Sequence, residues 1–283
     1  MSGCLTGADR AFMDGDDIVT GPQPWGDWLE TPLGSRVLAW EQACLDALVA
    51  DVFGFNALQL GDVPVDFLRA NRMPLRMRCT SSPSTLGTTP QAICAQPCAL
   101  PLTSNSVDLV VLPHVLEFDP RPHDVLREAA RILVPEGSLV VIGFNPYSLW
   151  GLRRRWGCGQ HFPWQGRYIG LPRLKDWFAL LGLEACAGEF GCHAPPIDAL
   201  SWQQRFAFLD IAGVRWWGFA GGVYVIQAIK RVAGLRPILP RWRERMSRAK
   251  ALISLAPPTP LPLPGARKAA GHDDAPMYPD RHE

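Results

Sequence analysis

The sequence predicts an open, doubly wound α/β fold whose mostly parallel sheet ends in an antiparallel pair of strands. Three observations predict it. Residues 107–112 and 138–144 are short, continuous, β-branched runs, the pattern of strands buried on both faces. A helix over 122–133 joins them and gathers Val125, Ala129, Ile132 and Leu133 on one face, so it packs back on the sheet as a crossover. Two late runs of strand character, 183–192 and 222–229, complete the sheet as the antiparallel pair.

The other elements follow in chain order. Residues 1–30 are polar, Gly-rich and acidic, and are expected to be flexible until Trp25 and Trp28 dock. Thr31-Pro32 then starts a helix, a cap residue followed by proline, with Val37, Trp40, Cys44, Leu45, Leu48 and Val52 at helical spacing. Residues 57–61 read as the first core strand, 65–71 as a helix and 75–79 as the second strand. A Ser/Thr/Pro loop over 80–89 leads to a third, edge-ward strand at 91–95. Past the crossover, 145–166 is loop-like and rich in Arg, Trp and Gly; 172–181 and 201–209 read as helices. From Lys230 the chain turns basic and Pro-rich. The division is therefore 1–30 as a flexible segment, 31–232 as the folded domain and 233–283 as a largely disordered tail.

Composition narrows the function classes. An apolar content of 47% with eleven Trp suits a large core, and a net charge of +1 gives no reason to expect nucleic acid. The basic segments 153–155 and 236–250 leave peripheral contact with anionic lipid open. The start carries no secretory signal and no run is long enough for a membrane span, so a cytoplasmic location is expected. Eight Cys show no CxxC pair, as expected of reduced thiols. Cys158-x-x-His161 and the neighbours Cys192-His193 could in principle meet at a zinc ion, but nothing in the sequence fixes their distance, so no metal is expected.

One stretch carries a family resemblance. Leu100-Pro101-Leu102, then Ser106-Val107-Asp108-Leu109-Val110, then LREAARILVPEG over 126–137, keep order and spacing across some forty residues. This resembles class I S-adenosylmethionine-dependent methyltransferases, in particular the quinone-biosynthesis-like, type 11 branch. The resemblance extends over about 57–230 and implies a Rossmann-like domain that transfers a methyl group from S-adenosylmethionine. In that family a Gly-rich turn after the first strand admits the cofactor. An acid ending the second strand binds its ribose, and an Asp after the third reaches its adenine.

Here the turn is Gly61-Asp62-Val63-Pro64, the second strand ends without a carboxylate at Cys79-Thr80, and Gln96 stands where the third acid is expected. The resemblance thus implies Gly61, Asp62, Gln96, Leu112 and Pro113 as cofactor residues. His114, just past the fourth strand, is the candidate general base, oriented by Glu117 or Asp119, or else a turn-capping residue. Asn145, Tyr147 and Trp150, at the ligand-facing edge after the fifth strand, are candidate contacts for a small apolar or aromatic acceptor. The alternative function is a non-catalytic member of the fold that acts as a binding or scaffold module.

Overall fold

The structure, a computed structural model, describes residues 25–81, 91–158, 162–199, 205–206 and 208–232. They belong to a unit that spans residues 1–234. The predicted tail lies outside the described residues, as do residues 1–24 and most of the predicted 80–89 loop.

Seven strands form one sheet in the order β3-β2-β1-β4-β5-β7-β6. β1 (Asn56–Leu60), β2 (Leu75–Thr80), β3 (Ala92–Cys94), β4 (Val107–Pro113) and β5 (Leu133–Phe144) run parallel. β7 (Val223–Lys230) lies antiparallel between β5 and β6 (Leu183–Gly191). The predicted architecture holds. β5 starts five residues earlier than the sequence suggests: the Pro135-Glu136-Gly137 turn becomes a bulge within one strand. Glu136 takes φ 64° there, and the β4–β5 register shifts between Val107 and Leu109.

Two apolar layers flank the sheet. On one face α4 (Pro122–Ile132) and α6 (Leu171–Leu180) bury Val125, Ala129, Ile132, Leu174 and Phe178 against Leu58, Val110, Leu112 and Val141. On the other, α1 (Trp25–Leu29) and α2 (Pro32–Ala50) cover Ala57, Leu109, Val111, Val140 and Ile142 with Trp25, Trp28, Val37, Leu45 and Val49. Thr31 caps α2 as its sequence predicts, its hydroxyl accepting from Gly34 N at 3.0 Å.

The predicted helix at 65–71 does not form; residues 67–70 make turns. Side chains, not helical carbonyls, satisfy this backbone. The Gln59 amide, wholly buried in β1, accepts from Phe67 N at 2.9 Å and donates to Val65 O at 2.7 Å, and Asp66 accepts from Leu68 N. Asn71 spends its amide on the end of α2, donating to Val49 O at 2.7 Å and Val52 O at 3.1 Å. In the other direction, the expected loop after β5 contains α5 (Leu149–Arg153), capped by Ser148 and followed by a π-helical turn, Arg154–Cys158. The helix predicted at 201–209 falls partly outside the described residues; α7 (Phe208–Trp216) runs seven residues beyond its expected end.

Candidate functional site at the carboxyl edge of the sheet

Strands β1, β2, β4 and β5 end on one edge, where an open α/β sheet binds its ligand. The corner after β1 is built around Gly61. Its N–H donates to Cys79 O at 2.8 Å, and its φ of +129° is a conformation L side chains rarely adopt. A Cβ at this position would also lie 2.7 Å from Val115 Cγ2. The next residue, Asp62, turns its carboxylate to the end of β2, accepting from Thr80 Oγ1, from Ser81 Oγ and, at 2.9 Å, from Ser81 N. The carboxylate missing from the sequence of β2 is thus delivered by the neighbouring turn. Val63 points the other way, into the apolar layer beneath α2, and the Arg78 guanidinium holds its carbonyl at 2.6 Å. Gln96 is exposed beyond β3. Leu112 and Pro113 are buried at the end of β4.

His114 follows β4 in the left-handed region, φ 54°. Its imidazole is buried between two carboxylates: Nδ1 lies 2.8 Å from Glu117 Oε2 and Nε2 lies 2.7 Å from Glu41 Oε1. Glu117 comes from the one-turn α3 (Val115–Phe118), and its other oxygen accepts from Phe144 N. Burial alone pulls the imidazole pKa down, but Glu41 and then Glu117 outweigh it and hold the group up at about 10. His114 is therefore an imidazolium at neutral pH. Phe144 stacks on the ring at 4.4 Å, and Trp25 lies at 5.1 Å.

The general-base role expected of His114 does not match this geometry, because both ring nitrogens are already bound to carboxylates. Of the two orienting groups expected, Glu117 is in place and Asp119 bonds Arg121 N instead. Sequence reasoning missed Glu41. Its signal was a lone acid on the otherwise apolar face of α2, where it is only 2% exposed.

The expected acceptor residues separate into two groups. Asn145 is buried with its amide committed, donating to Phe219 O at 2.8 Å and Gly221 O at 2.9 Å while Tyr147 N donates to its oxygen. Trp150 is buried against Phe144 and Trp164. Both build the wall from behind. Tyr147 is exposed and lines a chamber of about 580 Å³ beyond β5, formed also by Leu149, Leu152, His193, Leu209 and Trp217. The signal for this chamber was divided among three segments far apart in the sequence, so no motif marked it.

Among the described residues, no group of His, Cys, Asp and Glu is arranged to hold a metal ion; of the four possible zinc ligands, His161 lies outside them. No described helix is long and apolar enough to cross a membrane.

The sheet order and the crossover are those of a Rossmann-like methyltransferase fold. The chain belongs to the methyltransferase-domain family, whose model matches residues 65–141. Among individual proteins, Escherichia coli K12 YafS is 31% identical over 188 residues, 66% of this chain and 73% of YafS. A Mycobacterium bovis methyltransferase is 27% identical over 61% of this chain and 60% of its own length. Two solved structures share the fold. One is a SAM-dependent methyltransferase from Thermotoga maritima (TM-score 0.55, 16% identity, 73% of this chain and 94% of that one). The other belongs to a complex of the Haloferax volcanii Trm112 methyltransferase activator with a methyltransferase (0.53, 16%, 70% and 92%).

Proposed function

We propose that the protein transfers a methyl group from S-adenosylmethionine to a small acceptor held beyond β5. The observation that carries this reading is the Gly61–Asp62 corner. A glycine at a φ that L side chains rarely adopt turns the chain tightly after β1, and a carboxylate is brought to the end of β2, where a ribose diol can exchange with the Ser81 hydroxyl. These residues fit the cofactor: Asp62 would accept from the ribose, Gln96 would bond the adenine, and the Leu112-Pro113 turn would border the methionine end. The cofactor, when bound, supplies an electrophilic methyl on a sulfonium.

The chain's contribution is position and dryness. His114 acts as a positioning residue. Its two ionic hydrogen bonds fasten α2 to the end of β4, which closes the floor of the site and aligns α3. Trp25, Phe118, Phe144 and Phe162 pack around that floor and exclude water. Tyr147 borders the acceptor, and Asn145 and Trp150 hold the segment that carries it.

The test is calorimetric titration of the full chain with S-adenosylhomocysteine, paired with thermal unfolding. Saturable binding with a dose-dependent rise in Tm supports the reading. No heat and no shift at millimolar ligand rejects it and leaves a binding or scaffold role.

A further inference from the structure

The chamber beside Tyr147 adjoins a second one. A cavity of about 450 Å³ shares Pro146, Tyr147 and Arg155 with it and adds Arg154, Tyr168 and Arg173. The two differ in chemistry. The first is walled by Leu149, Leu152, Leu209 and Trp217; the second is ringed by three guanidinium groups. Neither lining contains a carboxylate among the described residues. The nearest acid on α7, Asp210, is already committed to Arg36 and to Ala194 N.

Among the described residues, none of the three arginines is paired with a carboxylate. Arg154 donates through Nε to Trp164 O at 3.0 Å and lies over the Tyr168 ring at 5.4 Å. Arg173 lies over the Trp177 ring at 5.2 Å. These contacts fix the planes of two guanidinium groups and leave their remaining N–H groups for an incoming anion. The second independent sign is His193 in the apolar chamber. It is 8% exposed, and among the described residues neither ring nitrogen has a hydrogen-bond partner. Buried polar atoms are nearly always paired, so an orphaned imidazole facing a cavity marks where a ligand atom belongs.

We infer that these adjoining chambers together bind an amphiphile: a phosphate head among Arg154, Arg155 and Arg173, an apolar chain against Leu152, Leu209 and Trp217, and a hydroxyl or carbonyl near the head paired with His193. Three unneutralised cations favour a dianionic phosphate over a monoanionic carboxylate. The inference rests on the methyl-transfer reading only in taking these chambers as the acceptor side; binding itself does not depend on it.

The probe is 1-lauroyl-lysophosphatidic acid, kept below its micelle threshold and titrated into the full chain by calorimetry. Saturable binding is expected, at least ten-fold tighter than that of glycerol 3-phosphate, 1-lauroylglycerol or dodecanoate. The double variant R155A/R173A should weaken it ten-fold or more, and W217A should weaken the chain-dependent part. Both variants should bind S-adenosylhomocysteine as the parent does, which also shows that they fold. Three results would overturn the proposal: equal affinity for glycerol 3-phosphate or dodecanoate, unchanged binding in R155A/R173A, or binding to phosphatidate vesicles with none to the monomer. The last would mark a membrane-facing surface. Normal S-adenosylhomocysteine binding with no lysophosphatidate binding sinks this inference alone; the converse pattern sinks the methyl-transfer reading alone.

Discussion

Glu41 and His114, 73 positions apart in the chain, meet at 2.7 Å with both side chains almost wholly buried. This contact ties the covering helix α2 to the functional edge of the sheet. Removing Glu41 deletes one buried charge-assisted hydrogen bond and strands the Nε2 atom, while Glu117 still pairs the imidazole, a loss of about 1.5–3 kcal/mol. Glu41→Ala is therefore expected to lower stability by about that amount in urea titrations. A loss below about 1 kcal/mol, the range of exposed pairs, would show that the contact does not hold α2 down.

The same group sets a pH dependence. His114 is held up at about 10 in the folded chain against 6.5 ordinarily, so folding favours its protonated form. The stability it contributes is fully present below pH 6.5 and declines as pH rises toward 10. Burial raises the pKa values of the neighbouring Cys192, Tyr168 and Tyr224, which stay neutral over most of that window. Unfolding free energies of the parent and His114→Gln, measured from pH 6 to 9.5, should converge. A constant difference would contradict the imidazolium assignment.

Asp62→Asn removes the charge at the end of β2 while keeping an acceptor for Ser81 N. Charge-assisted hydrogen bonds outweigh neutral ones, so affinity for S-adenosylhomocysteine should fall about ten-fold or more. Calorimetry reads this directly. Unaltered affinity would move the ribose away from Asp62.

Gly61→Ala meets two obstacles: the positive φ and Val115 Cγ2 at 2.7 Å. The backbone part alone costs about 1–3 kcal/mol. Adding Val115→Ala should relieve the steric part only, so a double-mutant cycle should show favourable coupling with a residual loss. Full recovery in the double variant would mean that the backbone at Gly61 is not strained.

The parts that were legible in the sequence are those whose residues serve the backbone locally. In the matched stretch, Asp108 accepts from Phe55 N and Asn56 N to fix the start of β1. Glu128 accepts from Leu100 N, and Arg131 donates to Leu102 O, which clamps the β3–β4 connection onto α4. The motif is strong because the architecture needs it, and for the same reason it says little about chemistry. The site was harder to see. The partner of His114 lies on a helix far upstream, and Gln59 replaces a helix with turns through contacts that no spacing rule records. Asn145 and Trp150 follow β5 as the sequence places them, but their polar atoms are taken by the loops they support. His193 drew notice only as a metal ligand; its isolation emerges only once α7 lies against it.

The two outer strands bear on how the protein behaves when crowded. β3 offers only three residues to an incoming chain. β6 is longer, but its register slips between Ala185 and Ala187, and Glu184 and Glu189 project from it beside that irregularity. A brief margin at one side and a kinked, acidic one at the other give a neighbouring molecule little straight backbone to zip against. Stacking into fibrils is thus disfavoured at both margins by the shape of the chain itself.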